Sequence, residues 1–166
     1  LYTGIILAGG NSSRMGQDKS LINSNVNRLA REMNSSGCER IIVMCGTLER
    51  VELFELECVP DMADSLGESI FELVSRIEGR IQLAPCDAYL ADSELFDGIR
   101  GVPLDDNGVR QPLLANFDSN EMVVKSTKIS EIFESFPTCD GGLKARNTNT
   151  PEEFMEIQRF LKQEGL

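Results

Sequence analysis

Residues 7–19, Leu-Ala-Gly-Gly-Asn-Ser-Ser-Arg-Met-Gly-Gln-Asp-Lys, put three glycines, two serines and two cations into one short segment. The apolar run Gly4–Leu7 that precedes it reads as a buried strand. A loop of this kind suits polyphosphate. Glycines such as Gly9 and Gly10 let main-chain N–H groups come close to an anion. Arg14 can fork onto phosphate oxygens, and Lys19 adds a mobile point charge. A strand-to-helix turn that needs glycine for geometry alone would not require Arg14 and Lys19 as well.

The spacing excludes the commoner phosphate loops. A Walker loop needs contiguous Gly-Lys-Ser/Thr, whereas Gln17 and Asp18 separate Gly16 from Lys19, and the segment contains no G-x-G-x-x-G. A second chemical candidate is Asp87, which follows an apolar run and Pro85. A carboxylate at such a place is costly unless it is solvated or binds a cation, and Mg²⁺ is typically held by one or two carboxylates plus substrate phosphates. The alternative is a turn aspartate leading into a helix capped by Asp92 and Ser93.

Composition narrows the chemistry. With 166 residues, 41% of them hydrophobic, the chain can bury one substantial core, so one domain over residues 1–166 is expected. The net charge of −11, from 16 basic and 27 acidic residues, disfavours nucleic acid and anionic membrane as partners. The sequence contains no histidine, which removes imidazole bases, imidazole ligands and Ser-His or Cys-His nucleophiles. Five cysteines without a C-x-x-C pair indicate neither a zinc site nor a disulfide scaffold and read as reduced thiols. No stretch approaches the roughly 18 apolar residues of a membrane span and no signal peptide is evident, so a cytoplasmic location is expected.

The elements that must position these residues alternate along the chain. Val26, Leu29, Ala30 and Met33 recur at helical spacing up to Gly37, and Ile41–Cys45 and Cys58–Val59 read as strands. Ser65 to Glu68 has capping-box spacing ahead of the stripe Ile70, Leu73, Val74 and Ile77. Ile81–Ala84 is a further strand, ended by Pro85. This order predicts an α/β, Rossmann-like, mostly parallel sheet flanked by helices. Ligands of such sheets sit at the carboxyl ends of the strands, where the glycine loop and Asp87 both fall. From Gly101 the pattern changes: Val102–Leu104, the turn Asp106-Asn107-Gly108 and Gln111–Phe117 suggest a hairpin or small antiparallel excursion. Ile129, Ile132, Phe133 and Phe136 form a third helical stripe, and Phe154, Ile157 and Leu161 a last one. Thr150, Pro151 and Glu153 make a complete capping box for that last helix, which leaves Asn147 and Asn149 unexplained.

The pattern L-A-G-G-x-S-x-R-M-G-x-D-K resembles the signature of nucleotidyltransferases of the sugar-nucleotide type. Within them it is most similar to the molybdenum cofactor guanylyltransferases, whose loop usually ends Arg-Met-Gly-x-Asp-Lys. The resemblance runs along most of the chain and is strongest at 4–21, 83–92 and 146–154. It implies the nucleotide-diphospho-sugar transferase fold and transfer of GMP from GTP to the terminal phosphate of molybdopterin, with Mg²⁺ as cofactor. By the same resemblance Leu7, Ala8, Gly9, Gly10, Lys19, Asp61 and Asp87 line the nucleotide, and Asp87 holds the metal. Arg14, Lys19 and Asp87 carry the catalysis. Arg110, ahead of the matching Gln111-Pro112, and Asn147 and Asn149 belong to the acceptor side, with an exposed hairpin arginine and a surface loop aspartate as plainer readings of Arg110 and Asp61. Transient contact with molybdoenzymes or their chaperones is implied by family analogy.

Three segments depart from the family pattern. The usual Gly-x-x-Leu after Lys19 has become Asn23-Ser24-Asn25-Val26-Asn27-Arg28-Leu29, the end of the second strand has Met44 and Cys45 where guanylyltransferases tend to have asparagine, and the Gly-Pro-Leu-x-Gly turn is reduced to Ser65-Leu66-Gly67-Glu68-Ser69. They leave open a related transferase that uses CTP or another phosphorylated acceptor, and a catalytically weak nucleotide-binding accessory protein on the same fold.

Overall fold

A strand flanked on both sides and covered on both faces must be apolar throughout, and β1 (Tyr2–Leu7) is buried at every position. The computed structural model describes residues 1–8, 19–46, 56–121 and 124–147, with positions 152, 153, 155, 156 and 159. After β1 come α1 (Lys19–Ser35), β2 (Arg40–Met44), β3 (Glu57–Val59), α2 (Leu66–Val74), β4 (Arg80–Pro85) and α3 (Ser93–Gly98). The chain continues through β5 (Val102–Asp105), β6 (Asn116–Asp118), α4 (Ile129–Ile132) and β7 (Thr138–Gly142). The main sheet has the order β3-β2-β1-β4-β6; the first four strands are parallel, and β6 runs antiparallel to β4. The expected mostly parallel α/β architecture is thus the one that forms.

Alternate residues of β1 face opposite layers. Ile6 joins Val26, Leu29 and Met33 of α1 and Phe96 of α3 on one side. Ile5 and Leu7 join Ile70 and Leu73 of α2 with Ile132, Phe133 and Phe136 on the other. Close approach of α1 to the sheet needs Gly4, because a Cβ there would lie 2.4 Å from Met33 Sδ. Ser65 caps α2: its Oγ accepts the Glu68 N–H at 3.1 Å and donates to the Glu68 carboxylate at 3.0 Å, the side-chain half of the expected box. Asp92 caps α3 by accepting the Leu95 N–H at 3.0 Å.

The expected small antiparallel excursion forms in the carboxyl-terminal half, where β6 runs antiparallel to β4, while a regular hairpin does not. Single antiparallel bridges join Leu104 to Arg110 and Gly101 to Asn116, but β5 pairs in parallel with β7 in a small second sheet. Pro112 cannot donate to a ladder, and Pro112–Leu114 form a 3-10 turn that delivers β6 to β4. There Asn116 Nδ2 donates to Tyr2 Oη at 2.9 Å and to Gln82 Oε1 at 2.8 Å, which fixes the antiparallel register with buried polar groups. β5 enters at Gly101, whose φ of +91° and contact with the Pro137 carbonyl leave no room for a side chain. The third helical stripe shortens to a single turn, with Phe133 and Phe136 beyond it packed on Phe117 at centroid distances of 5.5 and 5.3 Å. Of the last helix, Glu152, Glu153, Met155, Glu156 and Arg159 are helical, while Thr150, Pro151, Phe154, Ile157 and Leu161 lie outside the described residues.

Candidate active site

Strand order reverses around β1, so its carboxyl end and that of β4 border the crevice in which doubly wound sheets bind ligands. The two ends are stitched together: Leu7 stands opposite Pro85, and the Cys86 N–H donates to the Leu7 carbonyl at 3.0 Å. Ala8, fully buried, donates its N–H to the Met44 carbonyl at 2.8 Å, so the chain leaves β1 toward the glycine loop from a fixed point. Beyond Cys86 the backbone turns tightly, with Ala88 N–H to the Pro85 carbonyl at 3.0 Å and Tyr89 N–H to the Asp87 carbonyl at 2.9 Å. Leu7, Ala8 and Asp87 therefore meet on one rim.

Burial pushes the Asp87 carboxyl above the ordinary carboxylate range, partly opposed by a hydrogen bond within its own residue. Desolvation of this sort disfavours a bare anion and favours one that meets a cation. The residue also borders a cleft of about 340 Å³. Pro112, Leu113 and Ile129 give that cleft an apolar wall, and Gln111, Arg146 and Asn147 a polar one. Asp87 and Asn147, both expected at the site, thus share one cavity. Arg146 is paired bidentately with Asp106, and Gln111 Nε2 donates to Asp105 at 3.0 Å.

Asp61 stands two strands from β1 on the same rim. Its carboxylate accepts the Gly46 N–H at 3.0 Å, while its own N–H donates to the Gly46 carbonyl at 2.9 Å. That reciprocal pair closes the ends of β2 and β3 and gives the aspartate a structural task. Arg110 is turned away from the cleft: Nη2 donates to the carbonyls of Phe133 and Phe136 at 2.7 Å each, and Nε is buried without a partner among the described residues. Arg146 is the arginine that lines the cleft. Gly9, Gly10, Arg14 and Asn149 lie outside the described residues, and of Lys19 only the backbone, the first residue of α1, is described.

Two site residues escaped the sequence reading. Asn25 Nδ2 donates to the Cys86 carbonyl at 2.7 Å, and Arg28 reaches the carbonyls of Ala88 at 2.8 Å and Ala91 at 2.6 Å. The available signal was an asparagine beside Val26 in the apolar stripe with an arginine three residues on, a helical neighbour pair.

The donor chemistry suits a hard divalent ion. Asp87 offers oxygen in a partly desolvated place, and no group of three or more His, Cys, Asp or Glu converges for a metal among the described residues. An ion taken up with substrate phosphates needs no larger protein cage. No helix among the described residues is long and apolar enough to cross a membrane.

A sequence profile described as the MobA-like NTP transferase domain matches residues 4–116, which span β1 to the start of β6. No curated protein matches the chain. Among solved structures, the Aq1419 protein of Aquifex aeolicus is similar with a TM-score of 0.66 at 16% identity, over 89% of this chain and 93% of that one. The 4-diphosphocytidyl-2C-methyl-D-erythritol synthase of Anaerococcus prevotii is similar with a TM-score of 0.62 at 13% identity, over 98% of each chain. Rv0371c of Mycobacterium tuberculosis, in complex with manganese, is similar with a TM-score of 0.53 at 15% identity, over 97% of each. At these identities the structural likeness establishes the shared fold.

Proposed function

We infer that this chain, which belongs to the MobA-like NTP transferase domain family, joins a nucleoside monophosphate to a phosphorylated small molecule and releases diphosphate. The observation that carries the reading is the placement of Asp87, with its burial-raised carboxyl, on the rim where β1 hands over to the glycine loop and beside a cleft deep enough for a second substrate. The nucleotide is assigned to the main chain of Leu7, Ala8, Gly9 and Gly10 and to Asp61, and the acceptor to the cleft beside Asn147, with Asn149 in a supporting role.

An acceptor phosphate oxygen bonds to the α-phosphorus while the bond from that phosphorus to the bridging oxygen of the β-phosphate breaks. Positioning and neutralisation of developing charge supply most of the acceleration in such a step. Arg14 and Lys19 take up the charge that leaves with diphosphate. Asp87 would hold Mg²⁺, which when bound supplies charge neutralisation between phosphate oxygens; the manganese complex of Rv0371c supports a divalent ion. A phosphate nucleophile is already ionised at neutral pH and needs no base, in keeping with a chain that has no histidine.

GTP as donor and molybdopterin as acceptor are the specific pair, supported by the loop ending Arg14-Met15-Gly16-Gln17-Asp18-Lys19. CTP is the second reading. It is favoured by the fully buried Met44 and Cys45 at the end of β2, where a guanine-binding asparagine would be expected, and by the cytidyl product named for the Anaerococcus prevotii relative. Diphosphate release from GTP, CTP and ATP, with and without molybdopterin, tests both. Release that needs GTP and molybdopterin together supports the first reading, release that needs CTP and molybdopterin together supports CTP as donor, and no release from any nucleotide with molybdopterin contradicts molybdopterin as the acceptor.

A further inference from the structure

We propose that Asn25 and Arg28 are positioning residues that fasten the Asp87 turn to helix α1, so that the metal carboxylate and Lys19, the last residue of the phosphate segment, are set by one rigid strut. The proposal rests on the nucleotidyl-transfer reading above. Asn25 and Arg28 lie three apart on α1, the spacing that places side chains on one helical face. The helix begins at Lys19, about 9 Å of helical rise before Asn25 and about 14 Å before Arg28.

The contacts lock one another. Arg28 Nε donates to Asn25 Oδ1 at 2.8 Å, which obliges the Asn25 amide to present its NH₂ group to the Cys86 carbonyl at 2.7 Å. Arg28 Nη1 and Nη2 take the Ala91 and Ala88 carbonyls at 2.6 and 2.8 Å. Asp87 is therefore held on both flanks, at Cys86 and at Ala88, by donors from a single helix.

The Arg28 guanidinium is half-buried; its hydrogen bonds go to oxygens of Asn25, Ala88 and Ala91, while Glu32 and Asp92 offset part of its desolvation through charge. A planar fork is the side chain that holds several carbonyl oxygens in fixed geometry, which a lysine cannot do. Among the described residues Arg28 bonds the carbonyls of Ala88 and Ala91, so it acts on Asp87 through backbone geometry. The substitution of the family's Gly-x-x-Leu segment by Asn23–Leu29 thereby acquires a purpose in this chain.

The test uses the full chain and Mn²⁺ as probe, with electron paramagnetic resonance reading Mn²⁺ bound in the presence of GTP or CTP. Arg28→Lys keeps the charge and loses the fork, and Asn25→Ala removes the donor to Cys86 with less risk to folding. Both variants are expected to keep the wild-type circular dichroism and weaken Mn²⁺ binding about 10- to 100-fold, the usual cost of losing an outer support of a metal ligand. Protection by nucleotide without metal is expected to stay unchanged. Wild-type Mn²⁺ affinity in either folded variant, or equal loss of metal and nucleotide affinity, overturns the positioning role. A wild-type chain that binds no Mn²⁺ with any nucleotide overturns the transfer reading first, and the positioning role with it.

Discussion

Asp87 and Asp105 are withdrawn from water to different ends. At Asp105, burial raises the carboxyl, but the N–H groups of Val109 and Asn107, the Gln111 amide and the Arg146 charge outweigh it, so the group lies below the ordinary range. Its Oδ1 accepts Asn107 and Val109 at 2.8 and 2.9 Å, and Oδ2 accepts Gln111 at 3.0 Å. At Asp87 burial prevails and the group lies above that range. One aspartate closes a turn. The other borders the cleft, and Gln111, which bonds the first and lines that same cleft, joins the two environments.

The contrast breaks most visibly by substitution. Asp87→Asn is expected to lower diphosphate release by about 100-fold or more, the scale of losing one stabiliser of transition-state charge, while leaving the melting temperature at neutral pH unchanged or higher. Activity assays beside thermal melts decide it, and retained activity would put Asp87 in the same class as Asp105. Asp105→Ala should do the reverse. Leaving the Val109, Asn107 and Gln111 donors without their acceptor is expected to cost about 1–3 kcal/mol of stability in denaturant titration, with only a secondary effect on turnover.

pH sharpens the same comparison. The folded state binds the Asp87 proton more readily than the unfolded chain, so with rising pH this residue becomes a cost between its unfolded and its raised folded pKa. The advantage of Asp87→Asn should therefore be full above the raised folded value and vanish below about pH 4, near the unfolded value. Asp105 has the opposite sign: its contribution is complete above the unfolded value and disappears as pH falls through the depressed folded one. Melts of both variants from neutral to acid pH, without metal or nucleotide, give the two curves. The smallest effect concerns Arg146→Ala. Its pair with Asp106 is about one-third exposed, so stability should change by about 0–1 kcal/mol, whereas the KM for acceptor should rise if the polar wall of the cleft contacts it.

Legibility in the sequence followed locality. β1, β2, β4, α1 and α2 are announced by apolar runs and stripes a few residues long, and the Ser65 box by its own spacing. β7 was missed because Thr-Cys-Asp-Gly-Gly has no apolar alternation; its strand character comes from pairing with distant β5. Of the hairpin or antiparallel excursion expected from Val102 to Phe117, the excursion forms, but its register follows Pro112 and the buried Asn116–Gln82 bond, a partnership across 34 positions. At the site, Asp87 could be singled out because strand end and proline sit beside it. Asn25 and Arg28 could not, since their partners are carbonyls 60 or more residues away and carbonyls have no side-chain signature. Arg110 looked like an anion ligand by type alone, while the structure occupies it with Phe133 and Phe136.

The central claim, a nucleoside triphosphate and a divalent ion bound together at the end of β1 and β4, is tested most directly by thermal stabilisation of the wild type and Asp87→Asn in GTP or CTP with and without Mg²⁺. A ligand at 100 times its Kd raises stability by about 2.7 kcal/mol. The account predicts a shift of that order in the wild type that is larger with nucleotide and Mg²⁺ together than with nucleotide alone, and none of the Mg²⁺-dependent part in Asp87→Asn. Equal Mg²⁺-dependent shifts in the two proteins would contradict it.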